Sequence, residues 1–306
     1  MFSNKKIKVE VIFNETTYPS ALASTFIWGN MGQLTPKSQL IFDDFKVDMV
    51  FKNVISPIGP NATIKIYGVS KEHLDAITTV LLRDELEIDY TKRVMVSVDN
   101  GSGYIKLFEG CINEAVPVYQ TAPECYIQIE SSMAAYENSL RLPPISFSGE
   151  SAAISLESVC ESVCAQYGVK CTTSIGIKTH LPVPRKTIGE NDEGLGTRVG
   201  KLSEMYDIKA IRTMDGYEFY LKEENSDKMW GFTPSNMIGY PSYKNRLLQI
   251  TTDDFSGIKI NDKFRISGSE ITYANGLWFI TKITYNLQSR TPNGKWQATI
   301  EGAPSV

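Results

Sequence analysis

Hydrophobic and polar residues alternate along much of this chain, and the alternation predicts strands. From Lys5, the residues Ile7, Val9, Val11 and Phe13 fall on one face. Phe45, Val47, Met49 and Phe51 do the same. The clearest stretch runs from Asn61 to Ser132. It opens with Ile64 and Ile66 facing one way and Thr63, Lys65 and Tyr67 the other, the period of a half-buried strand. Ser70 then caps a predicted short helix. Glu72 and Asp75 lie in its first turns, and Leu74, Ile77 and Leu81 fall at helical spacing. A strand over 93–98 follows, with Val94, Val96 and Val98 in step. The turn-rich loop 99–103 leads into strands at 107–112 and 125–129.

Beyond this stretch the texture changes. Arg141-Leu142-Pro143-Pro144 can continue neither a helix nor an interior strand. Residues 151–167 predict an amphipathic helix with Leu156, Val159, Val163 and Tyr167 as its stripe, stopped by Gly168. A strand over 170–178, a proline loop over 181–189 and a second helix over 194–206 follow. Met214-Asp215-Gly216 then joins two strands as a hairpin. From Ile238 the pattern returns to strands at 247–252, 258–266, 277–287 and 295–301, with turns at Asn275-Gly276 and Thr291-Pro292-Asn293-Gly294. The expected fold class is mainly β with an α+β insert. The expected boundaries are 1–140, 141–237 and 238–306.

The order of elements between Asn61 and Ser132 carries a resemblance. "IKIYGVS", "VMVSVDNG" and "IKLFEGCINEAVPVYQTAPECYIQIES" resemble the first barrel of the baseplate hub proteins of contractile-tailed bacteriophages, the tail hub or late control D-like family. Ile238-Gly239-Tyr240-Pro241 and the run from Thr291 to Trp296 resemble that family too. The resemblance implies two tail-tube-like β-barrel domains flanking a small mixed domain. It implies a homotrimer whose two barrels per chain make a pseudo-sixfold ring, joining a hexameric tail tube to a trimeric central spike. The partners it implies are a second and third copy of the chain, the spike, and a tail tube or tube-initiator protein, with tape measure and wedge proteins as further candidates. It places the chain in the virion tail baseplate, after synthesis in a bacterial cytoplasm. The family also implies an internal duplication. Residues 108–130 and 278–301 share the plan strand, loop with proline, strand, at negligible identity.

Composition narrows the alternatives. The chain has 306 residues and net charge −4, without a basic block of the kind that displaces phosphate counterions, so specific nucleic-acid binding is not expected. A mildly acidic surface still lets DNA pass. No apolar run approaches the ~18 residues of a membrane span, and the first residues lack the apolar core of a signal peptide. Five cysteines, an odd number unevenly placed, argue for reduced thiols over a disulfide framework.

Five constellations invite a chemical reading. His73 and His180 are the only histidines for a nucleophilic triad, and neither has a nucleophile elbow near it. Cys160, Cys164 and Cys171 with His180 suggest zinc, but the first two sit inside an amphipathic helix, where cysteine is ordinary core. Gly194, Gly196 and Gly200 miss the dinucleotide spacing. Glu190, Asn191, Asp192 and Glu193 suggest a hard cation but read more plainly as a solvated loop before a helix. Glu85, Glu87 and Asp89 share a strand face and suggest a glycosidase pair or an acidic edge. The expectation is therefore a non-enzyme without metal or cofactor. A wall-degrading hydrolase and a β-rich glycan-binding protein are the alternatives. The second would need an exposed aromatic cluster, and Trp28, Trp230, Trp278 and Trp296 are scattered in sequence.

Overall fold

Most of the alternating stretches among the described residues are strands. The computed structural model describes residues 5–13, 39–78, 92–99, 101, 103–119, 124–147, 153–191 and 193–304. The predicted Leu81, Trp28 and the 85–89 acidic run lie outside these. By contacts the chain divides into two units. One holds Met1–Phe51, Asn61–Ala135 and Asn286–Trp296; the other holds Lys52–Pro60, Tyr136–Tyr285 and Gln297–Val306. Each is described by itself.

The first unit contains β1 (Lys6–Ile12), β2 (Gln39–Phe42), most of β3 (Val47–Val54), β4 (Asn61–Tyr67), helix α1 (Lys71–Ile77), β5 (Arg93–Asp99), β6 (Tyr104–Val118) and β7 (Tyr126–Ser132). Its strand order is β3-β4-β7-β6-β5-β1-β2. The apolar members of each alternation turn inward, so that Val9, Ile64, Val96, Phe108 and Ile129 are fully buried. Ser70 caps α1, its Oγ accepting from the His73 N–H at 3.4 Å. Gly110 sits where an added Cβ would meet the Phe108 ring at 2.7 Å and Ser131 Oγ at 2.8 Å, so close strand packing demands glycine there.

One difference from the sequence reading concerns strand length. The segment expected over 107–112 extends to a strand from Tyr104 to Val118. It runs past a break in its register with β7 between Ile112 and Glu114. That break shifts the inward alternation by one residue, from Phe108, Gly110 and Ile112 to Ala115, which masks a simple period-two reading.

The second unit contains the mixed module and the later strands. Its elements are α2 (Ala135–Ser139), β8 (Ala153–Ile154), α3 (Leu156–Gln166), β9 (Lys170–Thr173), α4 (Ile175–Thr179), β10 (Val183–Pro184), α5 (Leu195–Tyr206), β11 (Ile208–Arg212) and β12 (Gly216–Leu221). The amphipathic stripes of α3 and α5 meet β11 and β12 in one core containing Leu156, Val163, Val199, Leu202 and Phe219. The strand expected over 170–178 stops at Thr173. Ser174 instead caps α4, accepting from the Ile177 N–H at 3.3 Å, while the Glu224 carboxylate accepts from the Gly176 N–H at 3.2 Å. Helix α3 starts at Leu156, not at 151, because Ser155 caps it and Ala153–Ile154 pairs with β10 inside the expected proline loop.

Five strands follow: β13 (Met229–Phe232), β14 (Ser242–Lys244), β15 (Leu247–Thr252), β16 (Lys263–Ile266) and β17 (Gly276–Ser289); then β18 (Trp296–Pro304) closes the chain. β13 was not expected, and β16 is the only part of 258–266 that is strand. Asn245 and Arg246, at φ 51° and 66°, make the tight turn between β14 and β15. β17 again shifts its inward alternation midway, from Trp278 and Ile280 to Ile283, Tyr285 and Leu287.

The two strand-rich regions share a plan. Four consecutive strands, β4 to β7, lie in the sheet as β4-β7-β6-β5. Four later consecutive strands, β15 to β18, lie as β15-β18-β17, with β16 paired to β17. The order first-fourth-third-second therefore occurs twice. In both, the third strand is the longest and shifts its alternation midway.

The mixed module holds its entry and exit segments through buried polar groups. Arg198 has no exposed surface, and lies over the Tyr167 ring. It donates to Pro143 O and Gln166 Oε1 at 2.8 Å, to Glu190 O at 3.0 Å, and to Leu142 O. Pro143 and Leu142, expected as a domain boundary, are thus pinned to α5. Replacing a buried fork of donors leaves several carbonyls unsatisfied. Arg198→Ala is expected to lower unfolding stability by about 3 kcal/mol, measured by urea titration, and Arg198→Lys to recover only part of it. A cost below about 0.5 kcal/mol for Arg198→Ala would show that this clamp is not structural.

Candidate functional site

Four of the five chemical constellations fall at least partly on described residues; Glu85, Glu87 and Asp89 lie outside them. His73 lies in the first turn of α1, half-buried with its ring edge-on to Phe42. Burial lowers its pKa and the neighbouring Glu72 opposes that. His180 is the exposed C-cap of α4, and its Nδ1 sits 2.7 Å from Leu181 O. Cys160 and Cys164 are fully buried in the core between α3 and its sheet. Burial pushes the Cys160 thiol up, and a hydrogen bond with Cys171, with burial, pushes up that of Cys164. Such thiols are poor nucleophiles and poor ligands. Among the described residues no group of three or more His, Cys, Asp or Glu side chains is placed to hold a metal.

The glycines have a packing explanation. A Cβ on Gly194 would lie 2.2 Å from Asn138 O, and Gly196 donates its N–H to Asn138 Oδ1 at 2.6 Å. The loop before α5 therefore needs glycine to let α2 approach, and no phosphate is required to explain it. In the acidic loop, Glu193 pairs with Lys201, which also reaches Glu190 at 3.1 Å; the Lys201 hydrogen bond lowers the Glu193 pKa. Glu190 and Lys201 are exposed and Glu193 is half-buried, so the pairs carry small energetic weight. Among the described helices none is long and apolar enough to cross a membrane.

Two polar features were not legible in sequence. The first unit carries a shallow groove of about 240 Å³ lined by Asp48, Thr63, Lys65, Asn286, Gln288 and Lys295. Tyr67 donates to Asp48 Oδ2 at 3.0 Å, and burial, then Asp48, raises its pKa to about 12. The groove thus presents opposed charges and amides, with no activated nucleophile. In the second unit Lys209 donates to Asn225 Oδ1 and Asn261 Oδ1, both at 2.9 Å, and lies over the Phe279 ring. Burial lowers its pKa to about 8, against Glu223 and Glu224. Residues far apart in sequence build both features, so neither leaves a local motif.

What the structure offers most plainly is not a cleft but sheet edges. Among the described residues β2 pairs only with β1 and β14 only with β15, and the three residues of β14 are exposed. Beside β14, Tyr243 packs on Tyr273 with ring centroids 5.1 Å apart. Exposed strand edges are templates for further pairing.

Known proteins agree with this fold. No family model matches the sequence, and no curated protein matches it. Among solved structures, the chain is similar to the 43 kDa tail protein of prophage MuSo2 from Shewanella oneidensis, with TM-score 0.58 and 11% identity, covering 87% of this chain and 94% of that one. It is similar to a component of the type VI secretion system of E. coli that itself exhibits structural similarity to T4 bacteriophage tail proteins gp27 and gp5. Here the TM-score is 0.56 and the identity 10%, over 85% of this chain and 73% of that one. A tail protein from Neisseria meningitidis MC58 gives TM-score 0.55 and 7% identity, over 86% and 93%. At these identities the likeness is one of fold. The chain is mainly β with a few helices and resembles phage tail proteins.

The perturbed groups make opposite predictions in alkali. Lys209 sheds its proton near pH 8 in the folded chain, against about 10.4 when unfolded. Between those values the unfolded state binds more protons, so Lys209 adds stability as pH rises. The parent protein should therefore gain stability relative to Lys209→Met from pH 8 to pH 10, read by urea midpoints. Cys160 and Cys164 have raised pKa values, so the stability they supply is complete below about pH 8.5 and is lost above it. Against Cys164→Ala, the parent should lose ground over the same window. Parallel pH curves for parent and variants would contradict both assignments.

Proposed function

We propose that this chain is a structural hub of a contractile phage tail or of a related injection machine. The observation that carries the reading is the repeated four-strand sheet, first-fourth-third-second, found twice in one chain. Two similar sheets per chain let three chains present six similar positions. That is the geometry required to join a threefold object to a sixfold one. The repeated sheets act as tail-tube-like barrels in this reading, and their edges are completed by neighbouring copies.

Its partners in this reading are two further copies of itself, a trimeric spike on one side, and a tube or tube-initiator protein on the other. Tape measure and wedge proteins are further candidates. The fold shared with tail proteins of two bacterial prophage or tail systems and with a type VI secretion component supports a tail role in the virion. The work is symmetry matching, and no residue is assigned to catalysis. The genome passes through the ring without specific contact, in keeping with a net charge of −4.

Light scattering on a sizing column tests the reading. At high concentration the protein is expected to elute with the mass of three chains. A stable monomer at all concentrations, with or without spike protein, would contradict it.

A further inference from the structure

The turn from α3 into β9 carries three of the five cysteines, Cys160, Cys164 and Cys171. α3 packs on β9, and two hydrogen bonds fix how they face each other. At the far end Thr173 Oγ1 donates to Glu157 Oε1 at 3.0 Å. At the near end Val169 N donates to Cys164 O at 3.0 Å. Gly168, at φ 66°, reverses the chain between helix and strand. Residues two apart on a strand share a face, so Cys171 faces α3 as Thr173 does. On α3, Glu157, Cys160 and Cys164 follow at three and four residues and lie on one side of the helix. Cys171 therefore lies against the turn that holds Cys164, and the two thiols are hydrogen-bonded to each other.

The two thiols differ in access. Cys164 has no exposed surface, whereas Cys171 is half-buried and packs against the edge of the same core. An oxidant in solution meets Cys171 first. Cys160 lies one turn further back along α3, and burial, not a hydrogen bond to Cys171, is the main cause of its raised pKa.

We propose that Cys164 and Cys171 are a modification site, a pair that closes into a disulfide on meeting a small-molecule disulfide such as oxidised glutathione. The chemistry balances in two exchanges. Cys171 gives up its proton and its sulfur attacks one sulfur of oxidised glutathione. A mixed disulfide forms, and one glutathione leaves and takes up the proton. Cys164 then gives up its proton and attacks Cys171 Sγ, and the second glutathione leaves as the thiol. Two protein thiols are oxidised, and one glutathione disulfide is reduced to two thiols. The bond fastens α3 to β9 beside Gln166 and Tyr167. Gln166 accepts from Arg198, and Tyr167 donates to Glu193 O at 3.0 Å. The site does not depend on the hub reading. That reading supplies only the occasion, since a chain made in a reducing cytoplasm is later released into an oxidising medium.

The reduced protein is placed, still folded, in glutathione buffers of rising oxidised fraction. Remaining thiols are then blocked with N-ethylmaleimide in denaturant. Cleavage after Glu161 and after Lys170 puts Cys160, Cys164 and Cys171 in three separate peptides. The Cys164 and Cys171 peptides are expected joined by a disulfide, with Cys160 blocked. The Cys171 hydrogen bond and burial hold the Cys164 thiol protonated. The glutathione adduct on Cys171 should therefore appear first and give way about tenfold faster for each pH unit of rise. Cys160→Ala should keep the joined pair, and Cys171→Ser should leave Cys164 as the blocked thiol. Cys171 carrying only glutathione at every ratio, all three cysteines recovered as blocked thiols, or Cys171 joined to Cys160 would each overturn the inference. None of these outcomes bears on the hub reading.

Discussion

A strand of fourteen or fifteen residues outruns its neighbours, and this constraint organises the chain. Each backbone N–H and C=O along such a strand needs a partner or water. β6 and β17 are each too long for one short neighbour on a given edge. β17 meets the need with two, β16 and β3. The shift of inward alternation midway along each long strand belongs to the same problem. It lets one strand serve two stretches of sheet whose core faces are out of step by one residue.

The mixed module answers a different need. Its core is ordinary helix-on-sheet packing of leucine, valine and aromatic side chains. What is distinctive is how its polar groups hold connecting segments. Arg198 binds the 142–143 carbonyls. Arg212 pairs with Glu137 at 2.7 Å in a largely buried site, and Tyr217 donates to Pro57 O. Gly194 and Gly196 admit Asn138. Both segments that lead into this unit, near residue 57 and near residue 138, are thereby fastened to one small body. A buried ion pair is weak evidence for stability, but it fixes one arrangement against others.

Much of this was legible in sequence because strands with one buried face advertise their period. Ile64 and Ile66, or Val94, Val96 and Val98, leave little choice of face. The Asp215-Gly216 hairpin and the Ser70 cap are local chemistry and came out as read. The far half of β6 was missed because its alternation slips after Ile112. β13 was missed because four residues, Met229 to Phe232, carry too little pattern. The end of β9 at Thr173 depends on Glu224, a residue fifty positions away from Ser174, which no local window contains. The duplication was expected from a family likeness and from two hairpins of similar plan. Only strand order, which is not a property of any one segment, gives it substance. The same holds for two of the motifs: cysteines four apart pack in a core, and glycines two apart admit Asn138, which only their neighbours reveal.

The central claim is that one chain supplies two equivalent sheets to a closed ring. Electron microscopy of the purified protein at high concentration tests it most directly. The account predicts class averages with threefold symmetry, in which six similar lobes surround an open channel. Single compact particles, or closed assemblies whose lobes do not repeat twice per chain, would contradict it.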